Sequence, residues 1–325
     1  MDDYGYKPNP VATEAFIAAA PAVYGEQIDN LPVDMEKTTL NYRHVAAQMR
    51  GSKWIQDGRL KGQSQGSLGS CVGFGTGGAV KITAACDIAM RKQPEGWPKE
   101  NGVPIFPHCG WLYAAGRQVT NNLGRWQGSY GSAAAKAVEK MGTYWLQGKY
   151  DTYSASQTKG WQMGGVPQET KEYALEHKMS NTAVVTSFKH AVGLIQAGYG
   201  MNMCCGYAWN GRRDSDGFVR IDGRWAHSTT SGICYVCVPD TSYSGPSGAR
   251  RHKRGIGNQN SWPNGWKSPS NGGGPLGSQT PDLPWQSWII HEADYERCLS
   301  GRDTFAYGGF DGFLPPRAKW EDRVL

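Results

Sequence analysis

The residues of this chain best suited to chemistry begin at Gln65-Gly-Ser-Leu-Gly-Ser-Cys71-Val-Gly-Phe, where a cysteine follows a Gly/Ser loop and opens an apolar run. A thiol at the start of a helix meets unpaired backbone N–H groups and the positive end of the helix dipole. Both favour the thiolate, the nucleophilic form of cysteine. Gln65 stands six residues ahead of it. Further along, Trp225-Ala226-His227-Ser228 sets a histidine before the apolar run Gly232-Ile-Cys-Tyr-Val-Cys-Val238. Asn260-Ser261-Trp262 follows, with Gly265-Trp266 just after it. Singly, each has a plain explanation: a small core residue, a structurally satisfied imidazole, a turn. Together, in the order Gln, Cys, His, Asn, they do not.

That order and those motifs resemble the papain/cathepsin cysteine peptidases. The resemblance implies a thiolate at Cys71 that attacks a peptide carbonyl and forms a thioester that water later clears. It implies His227 as the base, Asn260 as the group that orients its imidazole, Trp262 as a shield for that hydrogen bond, and Gln65 as a side-chain donor to the oxyanion. No metal or organic cofactor is expected. Three positions depart from the pattern: Val72 replaces the usual aromatic after the nucleophile, and Pro263 and Lys267 replace glycines of the Asn-Ser-Trp-Gly-x-x-Trp signature. Proline fixes φ and removes an N–H, so the turn carrying Asn260 is expected to differ. The family's bridging cysteine three residues before the nucleophile is Leu68 here, and the matching turn Arg125-Trp-Gln-Gly-Ser-Tyr-Gly131 also lacks a cysteine. Both halves of that disulfide are absent, which fits manufacture in a reducing compartment.

The chain has 325 residues, enough for one large domain or two lobes around a cleft. Its 44 glycines and 13 tryptophans imply many tight backbone positions braced by large aromatic anchors. No stretch approaches the ~18 apolar residues of a membrane-spanning helix. The start, Met-Asp-Asp-Tyr-Gly-Tyr, lacks the basic and apolar regions of a secretory signal. Synthesis in a reducing cytoplasm is therefore expected, with the final location open. Net charge is +6, and the run Arg250-Arg-His-Lys-Arg254 reads as a solvated surface loop rather than a nucleic-acid contact. Cys204-Cys205 and Cys234-x-x-Cys237 lie in strand-like runs, where residues three apart face opposite sides, so core positions are expected rather than a zinc site.

The expected architecture is α+β in two lobes: a helical lobe carrying the cysteine and an antiparallel, β-barrel-like lobe carrying the histidine and asparagine. Residues 1–55 read as a proline-punctuated extension with little regular structure, 56–178 as the helical lobe, and 179–325 as the β-rich lobe with a Gly/Ser/Pro-rich insertion near 268–284. Helices are predicted over 71–90, 111–119 and 133–141, the last capped by Ser132, and another after Ser187. Strands are predicted near 201–208, 218–221, 232–238 and 285–291. The functional expectation is a peptidase acting on peptide or protein substrates. The alternatives are a papain-fold subunit of a larger assembly, such as a virus particle, joined through its N-terminal extension, and another Cys-His amidase or transferase. Gln65 and Asn260 speak against the last.

Overall fold

The structure is a computed structural model that describes residues 2–3, 5–19, 31, 33–90, 96–208, 214, 217–240, 251–262 and 283–310. Cys71 opens a 20-residue helix, Cys71–Met90, buried from Cys71 through Ile88. Its four glycines are poor helix formers, each costing up to ~1 kcal/mol against alanine. Close approach explains them. A Cβ on Gly75 would stand 2.6 Å from Ser228 Oγ, and one on Gly78 2.7 Å from Thr230 Cβ. On the opposite side, a Cβ on Gly73 would meet Tyr113 Cβ at 2.7 Å, and one on Gly77 would meet Cys109 Sγ at 2.8 Å. The helix is therefore pressed between the sheet and the neighbouring helix Cys109–Val119.

The main sheet runs, in spatial order, Ser287–His291, His252–Gln259, Gly223–Pro239, Gly200–Ala208, Phe305–Phe310 and Met179–Val184, antiparallel throughout. Its first and last strands do not pair, so among the described residues the sheet is open rather than a closed barrel. Gly223–Pro239 is much longer than its apolar half suggests, and it carries His227 inside the strand. The predicted strand at 218–221 reduces to a single bridge between Val219 and Ile290.

Three other expectations need correction. The N-terminal extension is not irregular: it forms helices Pro10–Ala19 and Tyr42–Gln48, and Asp2–Asp3 pairs in parallel with Trp225 and Ala226. Pro10 occupies the first helical position, where no N–H is needed. Ser132 does not cap its helix, which spans Gly131–Lys140 with Tyr130 at the N-cap. The cap comes from far along the chain, because the Asp303 carboxylate accepts the Gly131 and Ser132 N–H groups at 2.8 and 2.9 Å. Of the basic run, His252, Lys253 and Arg254 belong to a strand rather than a loop, and Arg254 Nε donates to the Met35 carbonyl.

Local signals do account for other termini. Ser187 accepts the His190 N–H at 3.1 Å and starts Phe188–Gln196, which ends before Gly198 at φ +80°. Helices Ala155–Gly164, Gln168–Leu175 and Glu292–Leu299 were not foreseen. None of the eight cysteines is in a disulfide, and all but Cys237 are buried. Among the described residues no helix is long and apolar enough to cross a membrane. Residues 268–282 of the expected insertion and Arg250 lie outside the described residues.

The helix–sheet contact makes a sharp prediction. Gly78→Ala adds a residue with higher helix propensity, yet it should lower stability by roughly 1–3 kcal/mol through overpacking against Thr230. Denaturant unfolding measures this, and a variant as stable as the parent would show that the glycine is not required for contact.

Candidate active site

The polar centre of the molecule grows from the end of the His252–Gln259 strand. Asn260 is pinned there by its own N–H, which donates to the Gln286 carbonyl at 2.9 Å. Its side-chain Oδ1 accepts the Ser261 N–H at 2.8 Å and lies 2.7 Å from His227 Nε2. An oxygen that already accepts one N–H requires a donor at Nε2 as well. The imidazole is thus held in the Nε2–H tautomer, with its lone pair on Nδ1. Two indoles confine the ring: Trp262 lies 4.5 Å away, tilted by 35°, and Trp225 meets it edge-on at 4.9 Å. Burial pushes the His227 pKa down to about 3, and the Asn260 bond only partly opposes this. His227 lies opposite Cys205 in the strand pairing, next to a register shift between Cys205 and Tyr207. Such a bulge is a common means of re-aiming a side chain at a site.

Gln65 reaches the same turn from the other direction. Its N–H donates to the Ser261 carbonyl at 2.8 Å, and its Oε1 accepts the Ser261 hydroxyl at 2.8 Å. Its Nε2 donates to the Leu68 carbonyl at 2.9 Å, folding the loop that leads into Cys71. Tyr153 braces that loop from behind, with its hydroxyl 2.8 Å from the Gln65 carbonyl and 3.1 Å from Ser70 Oγ. Leu68, in place of a bridging cysteine, is buried. Cys71 occupies the first position of the central helix. It shares an apolar cluster with Val72, Tyr130, Ala133, Ala134, Cys204 and Ala226, the residue before His227. Val72 is a buried member of that cluster. Pro263, Gly265, Trp266 and Lys267 lie outside the described residues.

The structure thus joins His227, Asn260 and Trp262 by direct contact, ties Gln65 to Ser261, and puts Cys71 in one apolar cluster with Ala226. Cys71 itself is 0% exposed. The N-terminal arm lies against this centre. Tyr6 belongs to the same apolar cluster as Cys71, and its N–H faces the Ala226 carbonyl at 3.4 Å. Ser129 donates to the Gly5 carbonyl and accepts the Lys7 N–H, both at 2.8 Å. Gly5 lies so close to Gly69 that a Cβ there would overlap its backbone. A cavity of about 250 Å³ lies elsewhere, behind the Gln65 loop, lined by Trp54, Phe74, Pro107, Cys109 and Tyr153.

The fold has parallels among solved structures. Xylellain, a cysteine protease from Xylella fastidiosa, aligns over 94% of this chain and 96% of its own, with a TM-score of 0.54 and 15% identity. Procathepsin B S9 from Trypanosoma congolense aligns over 97% and 86%, with a TM-score of 0.50 and 9% identity. The chain has the papain-like fold. No protein-family model matches it, and no curated protein sequence does. The likeness lies in the backbone.

Several residues of the site were not foreseen. Ser261, Tyr153, Tyr6 and Asp303 act through tertiary contacts, and only Ser261, inside the Asn-Ser-Trp motif, carried any local signal. Among the described residues no group of three His, Cys, Asp or Glu side chains is placed to hold a metal ion.

Three buried histidines, His108, His177 and His227, have pKa values lowered by burial and contribute to the acid response. Burial holds His227 down to about 3 and His108 down to about 4. His108 Nδ1 must stay unprotonated to accept the Trp111 N–H at 3.1 Å. Both pKa values are depressed on folding, so this stability is complete above the ordinary value of about 6.5 and is lost as pH falls toward 3. The loss is at most about 1.4 kcal/mol per pH unit per histidine. Melting temperature should fall from pH 7 to pH 4, less steeply than the histidines alone dictate because Asp303, pushed up to about 6, contributes the opposite slope, and His108→Gln should flatten the fall further. A pH-independent melting temperature over this range would contradict it.

Proposed function

We propose that the chain is a cysteine peptidase in which Cys71 is the nucleophile and His227 its base. The observation that carries this reading is the His227 Nε2–Asn260 Oδ1 contact of 2.7 Å. It fixes the tautomer that leaves Nδ1 to take a thiol proton, on the strand that borders the N-terminus of the Cys71 helix. The Cys71 thiolate would attack a peptide carbonyl, His227 would hand the proton to the leaving amine, and water would clear the thioester. Asn260 positions the imidazole, and Trp262 with Trp225 keeps water from that bond. Gln65, held by Ser261 and Leu68, would serve as a side-chain oxyanion donor beside the helix N-terminus. The fold comparison supports the architecture for this chemistry. An assembly or virion role finds no support in the comparisons.

Cys71→Ala should abolish hydrolysis of peptide substrates with little change in melting temperature, and a thiol-directed epoxide should label Cys71 in the parent. Full activity in the variant would remove Cys71 from the mechanism.

Cys71 has no exposed surface, so a substrate meets it only after a neighbouring segment moves. The arm contributes Tyr6 to the same apolar cluster and is braced as a belt: Phe16 packs edge-on against Phe305 at 5.5 Å, and Glu14 pairs with Arg302 at 3.1 Å. Removing residues 1–30 should therefore speed alkylation of Cys71 and raise turnover while lowering the melting temperature. Unchanged alkylation would show that the arm does not restrict access.

A further inference from the structure

The cavity behind the Gln65 loop is not used by the chemistry described above. Its walls include neither Cys71 nor any of His227, Asn260 and Trp262. They do include Gly62, Gln63 and Ser64, the three residues that run directly into Gln65. Its volume of about 250 Å³ sets the size of an occupant. An apolar cavity of about 150 Å³ takes one benzene ring, so this one suits a fused two-ring molecule. The walls are suited to flat rings. Trp54, Phe74 and Tyr153 face it, and the Phe74 and Tyr153 rings meet edge-on at 4.8 Å.

The charge around the cavity has one sign. Lys53 and Lys61 line it, both exposed, and none of the lining residues is acidic. The Lys53 ammonium lies 5.3 Å over the Trp54 ring. A third cation stands one ring further in. Lys81, on the central helix, is 5% exposed, with its Nζ 4.8 Å over the Phe106 ring, and Phe106 packs 4.5 Å from Trp54. Among the described residues none of these three ammonium groups pairs with a carboxylate. Buried charges are ordinarily paired, and burial pushes the Lys81 pKa down to about 8. Three uncompensated cations beside a largely apolar space attract an anion into it.

We propose that this cavity binds a small aromatic carboxylate, with its rings against Trp54, Phe74 and Tyr153 and its carboxylate toward Lys53 and Lys61, and that occupation stiffens the Gln65 loop. Tyr153 joins the two places. Its ring forms a wall of the cavity, while its hydroxyl donates to the Gln65 carbonyl at 2.8 Å and lies 3.1 Å from Ser70 Oγ. A ligand packed on that ring and on Gly62, Gln63 and Ser64 restricts both supports of the loop at once. Binding and stiffening are independent of the peptidase reading; only an effect on turnover rests on it.

Indole-3-acetate and its neutral isostere indole-3-acetamide are titrated into the full chain by calorimetry. The acid should bind about 5-fold or more tightly than the amide, the scale of two exposed ion pairs. Lys53→Gln with Lys61→Gln should bring the two affinities together, and added salt should do the same in the parent. Leu146→Trp, which fills the cavity, should abolish binding of both. Hydrogen exchange over residues 65–70 should slow with the acid bound, and Tyr153→Phe should keep the binding but lose the slowing. Equal binding of acid and amide overturns the proposal, as does a preference that survives removal of both lysines. Binding retained in folded Leu146→Trp places the ligand elsewhere and overturns it too, as does unchanged exchange in the 65–70 loop. Should Leu146→Trp fail to fold, the lysine variant decides, since both of its positions are exposed. In turnover, the acid should raise kcat with little change in KM. Binding and slowed exchange without any hydrolysis would sink only the peptidase reading, and hydrolysis with no binding would sink only this proposal.

Discussion

Everything at the centre of this protein depends on how closely the Cys71–Met90 helix can approach the sheet. Gly75 and Gly78 remove the side chains that would hold the two apart. Polar groups of the sheet then reach the helix: Asn202 Nδ2 donates to Thr76 Oγ1 at 2.9 Å, and Thr230 Oγ1 faces the Gly75 carbonyl at 3.4 Å. Asn202 also receives the Ser228 hydroxyl, one residue beyond His227. A buried polar seam of this kind is costly if half satisfied and specific when complete. It fixes the helix in register along the strand, and so fixes the first residue of one relative to the histidine of the other.

A second tie works at the surface of that contact. Gln65 and Ser261 exchange a backbone bond and a side-chain bond, linking the loop before the helix to the turn that carries Asn260. A change in either segment is felt by the other. The same loop is stiffened from behind by Tyr153, so the donors near Cys71 are preorganised rather than gathered during a reaction.

The candidate site residues were legible in the sequence because they are local signals: a Gly/Ser turn before a cysteine, a histidine in an apolar run, an Asn-Ser-Trp tripeptide. The central helix was legible to the residue, since its apolar spacing survives four glycines. What those glycines touch was not legible, because it is a property of two elements at once. The N-terminal arm was misread for a related reason. Its prolines and short apolar pieces look irregular alone, and they acquire a helix and strand pairing only against the body of the protein. Asp303 was invisible, since a cap supplied from some 170 residues away leaves no mark beside the helix that it caps.

Burial restrains the site electrically as well as sterically. Taking the proton from a thiol requires an imidazolium, and burial is what pushes His227 down to about 3. Desolvation of this kind weakens when the covering segment withdraws and water or a polar substrate enters. The arm is tied to this region by the pairing of Asp2–Asp3 with Trp225 and Ala226, just ahead of that histidine. Asp303 gives it a second tie, since this buried carboxyl, pushed up to about 6, accepts the Thr13 hydroxyl while it caps the Gly131–Lys140 helix. Movement of the arm therefore changes the partners of a buried carboxyl as well as the packing of the cluster that holds Cys71.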